Sequence, residues 1–147
     1  MMSSMPEARV FHCISVDDTF ALGIKIGEAS PSGSVISLQG PLGSGKTVLA
    51  KGIAVALNID EPIVSPTFTL VQEYCGTRRL NHMDLYRLEG QEEFESIGGE
   101  ELLYGDGITV IEWSEKIEAL LPPHTINISI SINDDQSRTI TLRGLRL

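Results

Sequence analysis

The stretch Gly40-Pro41-Leu42-Gly43-Ser44-Gly45-Lys46-Thr47 decides the fold. It follows the apolar run Val35-Ile36-Ser37-Leu38 and precedes a helical pattern. A strand that delivers a glycine-rich turn into a helix N-terminus is the context in which G-x-x-x-x-G-K-[ST] holds phosphate. The N–H groups of a first helical turn lack intrahelical partners, and the helix dipole favours an anion. Gly43 and Gly45 let the backbone take positive φ and approach phosphate with no Cβ in the way. Lys46 brings a cation to the β- and γ-phosphates, and the Thr47 hydroxyl suits Mg²⁺. The bland alternative is a turn that contains Lys-Thr by chance. Four fixed positions between a strand and a helix weigh against it.

Outward from this loop the chain alternates strands and helices. Val10–Ile14 reads as a first strand, and Asp17 as the N-cap of a helix over Asp18–Glu28. After the loop, Leu49, Ile53, Ala56 and Leu57 recur at helical spacing, so one face packs on a sheet. Glu61-Pro62 and Ser65-Pro66 bracket a connection. Thr67–Cys75 and Arg79–Tyr86 read as paired strands about a Gly76-Thr77 turn. Two short helices, Glu92–Ile97 and Glu100–Tyr104, lead to the buried strand Ile108–Ile111. Ser114 is placed to cap a further short helix. Ile126, Ile128, Ile130 and Ile132 then alternate with polar residues, which predicts a half-exposed antiparallel strand that turns through Asn133–Ser137 into a partner carrying Ile140 and Leu142. The expected architecture is α/β: a mixed sheet of the P-loop NTPase kind, flanked by helices, with a C-terminal antiparallel hairpin.

The 147 residues suit one domain, 1–147. Composition is that of a soluble globular chain, at 41% hydrophobic and 21% charged. Apolar runs are too short to span a bilayer, and Met1–Glu7 lacks the features of a secretory signal. Cys13 and Cys75 match neither a disulfide framework nor a metal spacing, and are expected as small buried thiols in a reducing cytoplasm. The formal charge of −9 is unsuited to gripping a nucleic-acid backbone unaided. Arg78-Arg79 and Arg138, Arg143 and Arg146 are expected as solvated strand-end charge.

Hydrolysis at a phosphate loop needs a carboxylate near the metal and a group that positions water. Glu112 ends the buried run Ile108–Ile111, and in open α/β sheets ligands lie beyond the carboxyl ends of strands. It has the form of a Walker B acid and is expected at Mg²⁺. Asp84 lies in His82-Met83-Asp84-Leu85-Tyr86-Arg87, where His82, Asp84 and Tyr86 share one face of a strand. Either Asp84 orients water or completes the metal shell, or the three form a hydrogen-bonded cluster in which His82 and Tyr86 hold Asp84. Ser65-Pro66-Thr67 stands where a phosphate-sensing switch would lie, or is only a stiff entry to a strand. Trp113 is expected in core packing, with partner contact as the other option.

Taken together, the phosphate loop, Ser65-Pro66-Thr67-Phe68-Thr69-Leu70-Val71 with Glu73-Tyr74, His82-x-Asp84-Leu85-Tyr86-Arg87-Leu88 and Val110-Ile111-Glu112-Trp113 resemble the TsaE (formerly YjeE) family. Order and spacing agree over nearly the whole chain, loosely after Ile132. Pro41 departs from an acidic residue common in the family, yet still fits a phosphate loop. The resemblance implies an ATPase that binds ATP or ADP with Mg²⁺ and hydrolyses ATP slowly. It implies the partners TsaB and TsaD, with which the family supports threonylcarbamoyl transfer to adenosine 37 of tRNA, the tRNA being met through the partners. Carried onto this chain, Gly43, Ser44, Gly45, Lys46, Thr47 and Val48 would hold the nucleotide. Thr47 and Glu112 would hold Mg²⁺, Asp84 and Lys46 would be catalytic, and Thr67 would lie in the switch. Adenine contacts are looked for around Ser15–Thr19. A small-molecule kinase is the rival enzyme class, but no arginine-rich lid is evident. A nucleotide-dependent binding module without catalysis is the other rival, and Asp84 discriminates it.

Overall fold

A computed structural model describes residues 8–64 and 70–147. Its elements are β1 (Arg9–Cys13), α1 (Val16–Ala29), β2 (Val35–Gln39), α2 (Lys46–Ala56), β3 (Val71–Cys75), β4 (Arg79–Asp84), α3 (Gln91–Ser96), α4 (Gly99–Leu103), β5 (Ile108–Glu112), a 3₁₀ segment Ser114–Leu120, β6 (Ile126–Ile132) and β7 (Arg138–Arg143). The strands form one seven-stranded sheet in the order β1-β7-β6-β2-β5-β4-β3. β6, β2, β5 and β4 run parallel, while β1 and β7 at one side and β3 at the other are antiparallel to their neighbours. The mixed α/β sheet flanked by helices and the closing β6–β7 hairpin match the architecture read from the sequence.

Helices cover both faces, which is why the central strands are apolar on both sides. On one face Ile36, Leu38, Ile108, Val110, Ile126 and Ile128 pack with Leu49 and Ile53 of α2 and Ile26 of α1. On the other, Val35, Met83 and Ile111 pack with Phe94, Leu103 and Ile117. Leu49, Ile53 and Leu57 are fully buried, each contributing about 1.5–3 kcal/mol of apolar burial. α1 and α2 touch through glycine. A Cβ at Gly52 would land on the Phe20 carbonyl oxygen, and one at Gly23 on that of Leu49.

Several local expectations are corrected. The N-cap of α1 is Ser15, not Asp17: Ser15 Oγ accepts from the Asp18 N–H at 3.1 Å, and Asp18 Oδ2 accepts from the Ile14 N–H at 3.0 Å. Ser15 thus caps the helix, while Asp18 reaches back one residue beyond the cap. β4 stops at Asp84, so Tyr86 lies beyond the strand. β3 begins at Val71, and the Ser65–Thr69 part of the expected strand, with the switch residues Ser65 and Thr67, falls outside the described residues. Ser114 is not a cap; its Oγ lies 2.5 Å from Ser37 Oγ inside the core. Cys13 is buried as expected, but Cys75 is exposed. Burial pushes the Cys13 thiol up from its usual range, with a Thr19 hydrogen bond opposing. Arg78 is not solvated either: it donates to the carbonyls of Ser30 (2.6 Å) and Gly27 (3.1 Å). It thus satisfies the end of α1, whose last turn carries no basic residue.

Candidate nucleotide site

The loop between β2 and α2 takes two left-handed turns, at Gly43 (φ 77°) and Gly45 (φ 113°). A Cβ added at Gly43 would meet nothing within 4 Å, so the loop borders open space there. The first bond inside α2 runs from Leu49 N–H to the Gly45 carbonyl at 3.0 Å. The N–H groups of Lys46 and Val48 precede it, in the position that suits an anion.

Arg138, at the start of β7, fixes the loop from behind. Its Nε donates to the Ser44 carbonyl at 3.0 Å and its Nη2 to that of Gly43 at 3.1 Å. A third bond goes to the Gln136 carbonyl. Arg138 is therefore a tether and not a solvated strand-end charge. Because the peptides are trans, drawing the Ser44 carbonyl toward Arg138 turns the Gly45 N–H the other way. Ser44 itself is fully buried, its N–H bonded to the Pro41 carbonyl at 3.1 Å. It contributes to the loop through its backbone. We expect Arg138→Ala to weaken ADP binding about fivefold, roughly 1 kcal/mol, through loss of two charged hydrogen bonds. Calorimetric titration with ADP checks this. Unchanged affinity would mean that the loop keeps its shape without the arginine.

One cleft of about 420 Å³ is lined by Gly43, Gly45, Lys46, Thr47, Val48, Asp84, Arg87, Glu112 and Trp113 among others. Three separate elements, α2, β4 and β5, bring Lys46, Thr47, Val48, Asp84 and Glu112 together at the carboxyl ends of parallel strands. Asp84 and Glu112 are direct lateral neighbours. The Asp84 N–H donates to the Leu70 carbonyl at 3.0 Å, and Asp84 Oδ1 accepts from the Tyr86 N–H at 3.1 Å. Glu112 is buried, and its Oε2 lies 2.6 Å from His82 Nε2. The cluster expected around Asp84 is thus divided: His82 serves Glu112, and Tyr86 serves Asp84 through its backbone.

Lys46 is buried, with Nζ donating to the Gly40 carbonyl at 2.8 Å and lying 3.8 Å from the centre of the Trp113 ring. Burial pushes its ammonium below the ordinary lysine value, while Glu112, Glu115 and Asp84 oppose that. An ammonium held in this way gains from an incoming phosphate. Trp113 reaches it because the chain turns left-handed there (φ 61°), which is uncommon for a bulky residue. Its ring also meets Tyr86, with centroids 5.0 Å apart. Trp113, Arg138 and the His82–Glu112 pair were missed as site features in the sequence. Trp113 carried a signal in its place directly after Glu112, and His82 in sharing a strand face with Asp84; Arg138 carried none.

The donors around this cleft, the Thr47 hydroxyl with the Glu112 and Asp84 carboxylates, are all oxygen, as a hard cation such as Mg²⁺ requires. A second cavity of about 330 Å³ adjoins across the loop, lined by Ser15, Val16, Thr19, Val48, Gln136 and Arg138 among others. The two share Gly43, Gly45 and Val48.

Fold and loop together define a P-loop-type α/β protein. The crystal structure of Bacillus subtilis YdiB is similar to it, with a TM-score of 0.77 and 31% identity over 98% of this chain and 90% of that one. The family model of the threonylcarbamoyl adenosine biosynthesis protein TsaE matches residues 13–140. The chain belongs to the TsaE family, whose members serve tRNA threonylcarbamoyladenosine biosynthesis. The Treponema pallidum protein of that name is 46% identical over 87% of this chain and 95% of its own length. The Nostoc protein is 47% identical over 83% and 77% respectively. No helix among the described residues is long and apolar enough to cross a membrane.

Proposed function

We propose that this chain is a Mg²⁺-dependent ATPase that supports threonylcarbamoylation of adenosine 37 in tRNA, as the cytoplasmic partner of TsaB- and TsaD-type proteins. The observation that carries the reading is the convergence of Lys46, Thr47, Asp84 and Glu112 on one cleft beside the glycine loop. In this reading the backbone of Gly43–Val48 and the Lys46 ammonium hold the phosphates. Thr47 and Glu112 hold Mg²⁺, which would neutralise charge on the phosphate oxygens. Asp84 orients the attacking water. The cavity by Ser15 and Thr19 takes the base, since it meets the phosphate cleft across Gly43 and Gly45. A formal charge of −9 favours leaving tRNA contact to the partners.

Phosphate release and tRNA modification, measured with the chain alone and with the two partner proteins, test the proposal. Slow Mg²⁺-dependent release, quickened by the partners, is expected, with no modification when the chain is left out. Modification that proceeds without it, and release indifferent to the partners, would sink the reading.

A further inference from the structure

His82 is fully buried on β4, one strand away from Glu112. In the parallel register His82 lies opposite Val110, and Asp84 lies opposite Glu112. His82 therefore reaches Glu112 on the diagonal of the same face, at 2.6 Å from Nε2 to Oε2. A carboxylate only accepts, so Nε2 carries the hydrogen of this bond. The other ring nitrogen, Nδ1, is buried and has no hydrogen-bond partner among the described residues. The imidazole thus spends its one bond on the Glu112 carboxylate, which no other described group holds by its side chain. Asp84, the lateral neighbour, is another carboxylate and repels it. Without His82, no side-chain hydrogen bond among the described residues would fix the Glu112 rotamer.

We infer that His82 is a positioning residue for Glu112: its Nε2–H commits Oε2 and leaves the second carboxylate oxygen for the cation of the nucleotide cleft. This rests on the reading of Glu112 as a Mg²⁺ ligand. Partners of metal ligands commonly set affinity by about 10–100-fold when removed. Catalytic contact is not required of His82, and its effect is confined to the metal.

The test is ADP affinity measured by calorimetry across a Mg²⁺ series and in EDTA. His82→Phe keeps the ring and loses the donor. It should raise the Mg²⁺ needed for half-maximal ADP binding about tenfold, with ADP affinity in EDTA unchanged. His82→Gln, whose amide reaches the place of Nε2, should return the Mg²⁺ requirement to within about threefold of the native chain. In a Glu112→Gln background His82→Phe should add nothing further. Thermal melts identify the folded variants. If His82→Phe does not fold, His82→Asn, whose amide stops at the place of Nδ1, stands in with the same expected shift. An unmoved Mg²⁺ requirement in the donor-free variant, or equal losses in it and His82→Gln, overturns the inference. A native chain whose ADP affinity ignores Mg²⁺ overturns the metal reading itself, and the inference with it.

Discussion

Mg–ADP should raise the melting temperature of the native chain, and Lys46→Ala should abolish most of that rise. A ligand at about a hundred times its dissociation constant adds about 2.7 kcal/mol if it binds only the folded state. For a chain of this size that corresponds to a rise in Tm of roughly 5–11 °C. In the free chain the Lys46 ammonium is held by the Gly40 carbonyl and the Trp113 ring, and burial depresses its pKa. Truncation removes those contacts but also removes a poorly solvated charge. The two partly cancel, so the free chain is expected to shift by about 1 kcal/mol or less. The loss should therefore appear in the nucleotide-dependent shift and not in the baseline melt. Scanning calorimetry with and without Mg–ADP separates them. A shift that survives intact in Lys46→Ala would remove the lysine from the phosphate site.

What could be read from the sequence was local. The loop Gly40–Thr47, the Ile126–Ile132 alternation and the acid ending a buried strand all depend on near neighbours, and the structure has them as elements in the expected order. Alternation carried β4 two residues too far. Asp84 Oδ1 takes the Tyr86 N–H two residues on, so a short side-chain turn replaces the ladder. The cap at Ser15 was equally local, since Asp18 stands three residues after it, but Asp17 offered a competing cap of nearly equal preference. The features that sequence withheld are contacts across the sheet. Arg138 holds carbonyls 94 and 95 residues away, and His82 meets Glu112 across 30 residues. No periodicity reports such a pairing; it follows from the strand order β5-β4 and from β7 lying near the loop. That His82 and Asp84 share a face was legible, whereas the turning of His82 to Glu112 was not.

Asp84→Ala should separate binding from hydrolysis. Asp84 ends β4 directly beside Glu112 and lines the same cleft as Lys46 and Thr47. Its backbone N–H is bonded to Leu70, so the main chain at this point does not depend on the side chain. Loss of the Tyr86 N–H bond to Oδ1 removes a hydrogen bond in an exposed setting, worth about 0.5–1 kcal/mol. ADP affinity should accordingly stay within about threefold of native. Turnover should fall about a hundredfold or more, the scale set by losing a group that handles a proton or orients water in the transition state. Asp84→Asn sharpens the result, because its amide oxygen keeps the bond to Tyr86 while the negative charge goes. If the asparagine variant turns over as slowly as the alanine variant, the charge on Asp84 acts on the attacking water. If it turns over at the native rate, Asp84 serves only to shape the 84–86 turn, and the hydrolytic role must be sought elsewhere in the cleft. Single-turnover phosphate release, with the protein in excess over Mg–ATP, distinguishes these, since it reads the chemical step apart from ADP release. Native turnover in both variants would remove Asp84 from the hydrolytic step.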